Sequence, residues 1–332
     1  MLMPRRAYLQ LEYDGNDISS DIASDVENFT YTDSGSDSSD SLSIKVNAMD
    51  HKWLNSWMPD KEAVLHPTLC TKNWIVQGDR TTLDCGTLVV DDLGFSACPD
   101  VLTIGAVARP SGTSFHEKNR EQVWKNTSIK RIAQTIAERY NLECSMDADD
   151  VDVALKEQDD NDSSFLQKLC STYGLILKTY RDKIWIFDRE KYKEKDAAAT
   201  FTPPLIVPGS LEWNTTLAGT YTGGEFTYSN QKKKVNIKVT VGTEERMLKL
   251  NRYASSEADA RRQLEAEIAN KNHSATTISF STMGNLGICS TQCIQVEGYG
   301  KADGKYYLDS VAHSLNKSGG LVTKVAGSRV GG

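Results

Sequence analysis

Several groups of residues in this chain have the types that chemistry uses, and each fails on spacing. Asp33, Asp37 and Asp40 surround Gly35 in the tract TDSGSDSSDS, which offers the oxygen ligands that calcium takes. A helix-loop-helix calcium loop needs Gly at its sixth place and a bidentate Glu at its twelfth. Lys45 and Val46 stand where the late ligands belong, so the tract reads as a solvated loop. His273, Cys289, Cys293 and His313 are zinc-ligand types. Their Cys spacing is on the long side, and no His pair or second Cys pair completes a set. A nucleophile needs an oriented base beside it, and no GxSxG or comparable setting occurs. There is no Walker loop and no GxGxxG between strand and helix. Gly298-Tyr299-Gly300 lies between two strands, where it serves to turn a hairpin. The residues assign no catalytic group, no cofactor and no metal. The reading is of a structural protein, not an enzyme.

Composition sets the frame for the elements. The chain has 332 residues, enough for two or three domains, with 39% hydrophobic and 25% charged residues. Pro is scarce at 8, Gly numerous at 23, and Tyr reaches 13, a balance that favours strands and turns. Net charge is −7, which argues against sequence-independent nucleic-acid binding. The one basic run, Lys232-Lys233-Lys234, opens the strand KKKVNIKVTVG and reads as a solvated strand end. The start MLMPRRAYLQLEYDG has no apolar h-region, and no apolar run of about 18 residues exists, so synthesis in a cytoplasm without a signal peptide is expected. Seven scattered cysteines read as free thiols. Six scattered tryptophans read as core packing, or as anchors at a subunit contact.

Periodicity divides the chain into three. Within 1–110, AYLQLEYD, SLSIKVNAMD, TKNWIVQG, RTTLDCGTLVVDD and DVLTIGAVARP carry a β pattern, with Leu42, Ile44 and Val46 alternating on one face. After Arg109-Pro110 the period changes. Ile129, Ile132, Ala133, Ile136, Ala137 and Tyr140 follow helical spacing, capped by Asn126 or Thr127. A second helix carries Phe165, Leu166, Leu169 and Tyr173, with Asp162 or Ser163 as cap and Gly174 as its left-handed stop. LILKTY and KIWIFD pair as a hairpin across Arg181-Asp182, and EKYKEKDAAAT reads as a linker. From 200 onward the β pattern returns, with Val235, Ile237, Val239 and Val241 on one strand face. One helix interrupts it, SSEADARRQLEAEIANKN, capped by Ser255 or Ser256. The expected fold is mainly β with an α+β insert: 1–110 β, 111–199 α+β, and 200–332 β with one helix.

Three segments together resemble a known family. Gly105 to Leu142 has a strand ending in Arg-Pro, then the helix SIKRIAQTIAERYNL. Gln158 to Asp188 places Gln, an acidic residue, Phe-Leu, Leu and Gly-Leu at set spacings before a hairpin. Asp259 to Val330 runs from an Ala-rich helix to strands bearing Val311-x-His313 and a last strand with threonine. In this order they are similar to the phage late control protein D family, baseplate hub proteins of contractile tails and tail-like particles. That family is related to the hub part of type VI secretion spike proteins.

The resemblance implies two tube-like β-barrel domains flanking a helix-containing domain, and a homotrimer that presents six barrels. Such a trimer would act as a symmetry adaptor between a sixfold tail tube and a threefold central spike. Implied partners are its own copies, the tail tube protein, the spike, and other baseplate and tape-measure proteins. Neither membrane insertion nor specific nucleic-acid binding is implied. The implied location is the baseplate of a virion or tail-like particle. Leu42, Ile44, Val46, Val235, Ile237, Val239 and Val241 are then the candidate tube-strand residues. A net negative lumen would repel DNA. No needle, lysozyme or LysM segment accompanies the resemblance, so a hub-only version is expected. The rival readings are a tail-tip cell-wall hydrolase and a receptor-binding tail module.

Overall fold

The computed structural model describes residues 4–35, 39–108, 115–180, 183–230, 235–317 and 320–331. Asp37, Arg109-Pro110, the Arg181-Asp182 turn, the Lys232-Lys233-Lys234 run, Gly319 and the side chain of Val235 lie outside the described residues.

The first unit is a β structure made of β1 (Arg6–Tyr13), β2 (Asn16–Asp17), α1 (Ser19–Ile22), β3 (Val26–Ser34), β4 (Ser41–Asn47), β5 (Val64–Lys72), β6 (Arg80–Asp84), β7 (Leu88–Ser96) and β8 (Val101–Val107). Strict alternation drives it. Leu42, Ile44 and Val46 are buried on one face of β4, with Phe29 and Tyr31 of β3 and Leu102, Ile104 and Ala106 of β8 beside them. Burying each large apolar side chain contributes roughly 1.5–3 kcal/mol before entropy is counted. Residues 73–78, expected to continue a strand, instead form a loop in which the Asp79 carboxylate accepts from the amides of Trp74, Ile75 and Val76.

The second unit holds β9 (Gln122–Ser128), α2 (Ile129–Arg139), β10 (Glu143–Asp147), β11 (Asp152–Gln158), α3 (Asp162–Thr172), β12 (Leu175–Tyr180), β13 (Lys183–Asp188) and α4 (Arg189–Glu194). The helical stripe over 129–140 is its core, with Ile129, Ile132, Ala133 and Ile136 fully buried. The caps sit one residue from those expected. Ser128 Oγ accepts from the Arg131 amide, and Asn161 Oδ1 accepts from the Ser164 amide. Gly174 has φ +74°, the left-handed stop expected after α3. The hairpin between β12 and β13 forms in the register Leu175↔Asp188 to Tyr180↔Lys183.

The linker expected over 190–200 is ordered structure. Asp188 caps α4, and β14 (Ala197–Phe201) pairs parallel with β20 (Cys293–Val296). The tract is charged because α4 buries little more than Arg189 and Tyr192.

The last unit adds β15 (Glu212–Thr215), β16 (Gly223–Asn230), β17 (Val235–Gly242), β18 (Met247–Asn251), α5 (Glu257–Asn272), β19 (Thr276–Met283), β21 (Gly304–Asn316) and β22 (Gly320–Arg329). Of the two caps proposed for α5, Ser256 is the one used, accepting from the Asp259 amide. The strands divide into two groups. β16, β17 and β18 form a separate three-stranded sheet that packs on α5 through Phe226, Ile237, Val239 and Leu264. β15, β19, β22 and β21 enter one large sheet, ordered β15-β19-β22-β21-β3-β4-β8-β7-β5-β1-β2. That sheet runs without a break from the last unit into the first.

Candidate functional site

The seam of the large sheet is the pairing of β21 with β3, antiparallel from Ser310↔Ser34 to Asn316↔Asn28. It joins the two ends of the sequence into one surface. Its inner face carries the fully buried Phe29, Val311 and Val325, with the buried polar side chains Asp33 and His313 among them. Its opposite face is made of small hydroxyl and amide residues. Thr30 and Thr32 of β3 sit beside Ser43 and Ser41 of β4 and, across the seam, beside Ser314 and Ala312 of β21. Thr30 and Ser314 share a hydroxyl hydrogen bond of 3.0 Å across the join. Lys45 and Lys324 are the charges on this stretch.

Close approach fixes the seam at two glycines. A Cβ at Gly35 would lie 2.9 Å from the Asp309 carbonyl oxygen, and Gly35 donates its own amide to that oxygen at 2.7 Å. A Cβ at Gly284 would lie 2.3 Å from Leu321 Cγ. The Gly284 carbonyl accepts from Trp74 Nε1 at 2.6 Å, tying a loop of the first unit to the last one.

Behind the seam lies a buried ion cluster built from all three units. Lys178 of β12, 7% exposed, donates to Asp33 of β3 and lies 3.2 Å from Asp40 Oδ1. Ser290 donates its amide and its hydroxyl to Asp33, each at 2.7 Å. Asp40, fully buried, accepts from the Ser34 amide at 2.9 Å and from the Tyr31 hydroxyl at 3.0 Å. The solvated acidic loop expected here is therefore corrected at Asp33 and Asp40, whose charge is turned inward onto a lysine. Burial penalises the Asp33 charge, but Lys178 and Ser290 outweigh it and hold its carboxyl below the usual range. Burial pushes the Asp40 carboxyl up, and the neighbouring Asp33 charge adds to the rise. Burial disfavours the Lys178 ammonium, yet both carboxylates together raise its pKa. Two acids thus share one buried base, an arrangement that breaking at one partner leaves with an uncompensated charge.

The residues that carried the family resemblance are structural knots. His313 is fully buried and kept neutral by that burial. Its Nε2 lies 3.1 Å from the Ile288 carbonyl, so that nitrogen carries the proton, and Nδ1 accepts from the Thr323 hydroxyl at 3.0 Å. The Thr323 oxygen in turn accepts from the Asn285 amide at 2.9 Å. In the second unit, buried Asp162 receives Arg120 Nε at 2.9 Å, Arg139 Nη1 at 3.0 Å and the Tyr140 hydroxyl at 2.6 Å. Gln158 bridges Asp162 at 2.6 Å and the Trp124 indole at 3.1 Å. Burial opposes the Asp162 charge, but these donors hold its carboxyl below its usual range.

The zinc-type residues are dispersed. His273 pairs with Asp309, His313 with Thr323, and the Cys293 thiol with the Tyr192 carbonyl. No group of three metal-ligating side chains occurs among the described residues. None of the described helices is long and apolar enough to cross a membrane. Of the candidate tube-strand residues, Leu42, Ile44 and Val46 lie in the large sheet, while Ile237, Val239 and Val241 lie in the separate small one. Sequence reasoning missed Lys178 as a site residue. Its only signal was a lone charge inside the apolar strand LILKTY.

No protein-family model matches the chain. Similarity is found to a protein of Escherichia phage 186 described as "Probable baseplate hub protein", 27% identical over 178 residues. That match covers 52% of this chain and 43% of the relative, so the chain matches less than half the length of this curated relative. The fold is similar to that of the 43 kDa tail protein of prophage MuSo2 from Shewanella oneidensis, with a TM-score of 0.72, 13% identity and 98% of each chain covered. It is also similar to an E. coli protein described as a component of the type VI secretion system resembling T4 bacteriophage tail proteins. There the TM-score is 0.57 at 10% identity, over 99% of this chain and 77% of that one. The resemblance read from the sequence holds: the chain is similar to baseplate hub proteins and has a mainly β phage-tail fold.

Proposed function

We propose that the chain is the baseplate hub of a contractile tail or tail-like injection particle, a non-enzymatic adaptor that works as a homotrimer. The observation that carries this reading is the continuous sheet. β3 and β21 join the first and last units edge to edge, which supports the reading of two β modules side by side in one polypeptide. Three such chains would present six modules while keeping threefold symmetry. That geometry suits a ring facing a sixfold tube on one side and a threefold spike on the other. The domain division that goes with it is a tube module within 1–110, an insert over 111–199, and a second tube module within 200–332. In the second module the large-sheet strands would form the wall, and the β16–β18 sheet with α5 would be an appendage.

The hydroxyl face of the seam would line the bore. Its named residues are Ser, Thr and Ala with Lys45 and Lys324, so this reading expects a polar, weakly basic lining in place of the negative one suggested by net charge. The pairing of β17 with β16 and its packing on α5 support reading Ile237, Val239 and Val241 as core of the appendage and not as wall. The tube protein, the spike and other baseplate proteins are the partners this reading requires, and the particle baseplate is its location. Similarity to a phage hub protein supports it.

Native mass spectrometry over a concentration series is the direct test in solution. A species of three times the 36.8 kDa chain mass is expected, alone or on addition of the tube protein. A stable monomer or dimer in the presence of tube protein would refute the trimer.

A further inference from the structure

A cavity of about 470 Å³ opens where the insert and α5 meet the large sheet. Ser171 lies in the last turn of α3 there, Arg189 begins α4, Asn270 and the C-cap His273 come from the end of α5, and Ser279 and Asp309 come from the sheet. The acid in this wall is already satisfied. Asp309 Oδ1 lies 2.6 Å from His273 Nε2, and Asp309 Oδ2 accepts from the Ser328 hydroxyl at 2.6 Å.

The unspent groups are on the basic side. Arg189 is 5% exposed, and its Nη2 donates to Asn270 Oδ1 at 2.7 Å. Its Nε has no hydrogen-bond partner; the Glu190 carboxylate, on the exposed side, stays 3.7 Å away. The His273 side chain is 10% exposed, and its Nδ1 is buried without a partner. Tyr307, edge-on to the His273 ring at 6.1 Å, has a buried hydroxyl that is also unpaired. Buried polar atoms without partners are costly, and two in the wall of one cavity, Arg189 Nε and His273 Nδ1, point to a ligand that fits there.

We propose that this cavity binds a small oxyanion, a carboxylate or phosphate group, between Arg189 Nε and His273 Nδ1. Arginine donates from a fixed planar fork suited to such oxygens. Imidazole donates from Nδ1 when both its nitrogens are protonated, with Nε2 held by Asp309. Asn214 and Ser279 stand in the wall as further polar groups. The anion would clamp α4 and α5 to the sheet, so binding reads out as stability. It does not depend on the hub reading.

Thermal unfolding of the full chain tests this, with inorganic phosphate or sodium acetate added at constant ionic strength against chloride. A saturable rise in Tm of about 2 °C or more is expected from one of the two anions, and the one that saturates at lower concentration names the class. Arg189→Gln should abolish the rise. Asn214→Asp changes an exposed residue and should fold normally; its carboxylate should weaken binding about tenfold. Should Arg189→Gln fail to fold, Asn214→Asp carries the test. The proposal is overturned if neither anion acts beyond chloride, or if Asn214→Asp responds like the unaltered chain.

Discussion

Lys178 and Asp33 lie 145 residues apart in sequence and meet as a buried ion pair. The lysine comes from the insert and the aspartate from the seam strand. This contact is one of several that hold the insert on the large sheet, beside the packing of Ile176, Phe187 and Tyr192 on Cys293 and Tyr307. A second carboxylate, Asp40, shares the lysine at 3.2 Å. The cluster holds one cation between two acids that burial would otherwise expel.

Removing the cation should therefore cost more than removing either acid. Lys178→Met leaves two buried carboxylates unpaired and should destabilise by about 3–5 kcal/mol, less whatever protonation recovers. Asp33→Asn should cost less, because Ser290 can still donate to the amide oxygen. The double variant Lys178→Met with Asp33→Asn should lose less than the sum of the two. Urea unfolding measures all three; strictly additive losses would mean that the cluster is not coupled.

The two acids should act oppositely with pH. Asp33 and Asp162 have folded pKa values below their unfolded ones. Their contribution is complete above the unfolded carboxyl value of about 3.9 and is lost as pH falls through the folded values. Asp40 has a folded value above its unfolded one. Its contribution is complete below about pH 3.9 and is lost as pH rises through the folded value. Asp33→Asn should thus flatten the acid limb of a stability profile, whereas Asp40→Asn should flatten a decline on the higher-pH side. Profiles from about pH 2 to pH 8 that stay parallel to the unaltered chain would contradict this.

Gly284→Ala should pry at the join between the units. Its Cβ would overlap Leu321, a 2%-exposed core residue, and displace the carbonyl that Trp74 binds. A loss of about 1–3 kcal/mol is expected. Hydrogen exchange should rise at the Trp74 loop and in β22 while β10–β13 stay protected. Uniform change across the chain would argue against a local join.

Thr323→Val should show that the His313 motif is architectural. It removes the donor to His313 Nδ1 and the acceptor for the Asn285 amide, for a cost of about 1–3 kcal/mol. Assembly of the proposed trimer should survive in whatever fraction remains folded.

Much of this fold could be read directly. Alternation at Leu42, Ile44 and Val46 and helical spacing from Ile129 to Tyr140 are local patterns with one solution each. The unread parts depend on distant partners. Alternation told which face of 235–241 is apolar, but not that β16 and α5 would cover it in place of the large sheet. Asp33, Asp40 and Lys178 each look like solvent residues until the chain brings them together, because burial of a charge is decided by its partner. The tract at 190–200 looked like a linker since α4 is short and anchored by only two buried side chains. Asn161 and Ser128 were adjacent to equally good cap residues, and backbone geometry chose between them.

Electron cryomicroscopy of the assembled particle addresses the proposed role most directly. Three copies of this chain should form a closed ring of six β modules, with the β3–β21 join inside each copy and the Thr30–Ser314 face toward the bore. A ring of six copies, a single module per copy in the wall, or that face turned outward would contradict it.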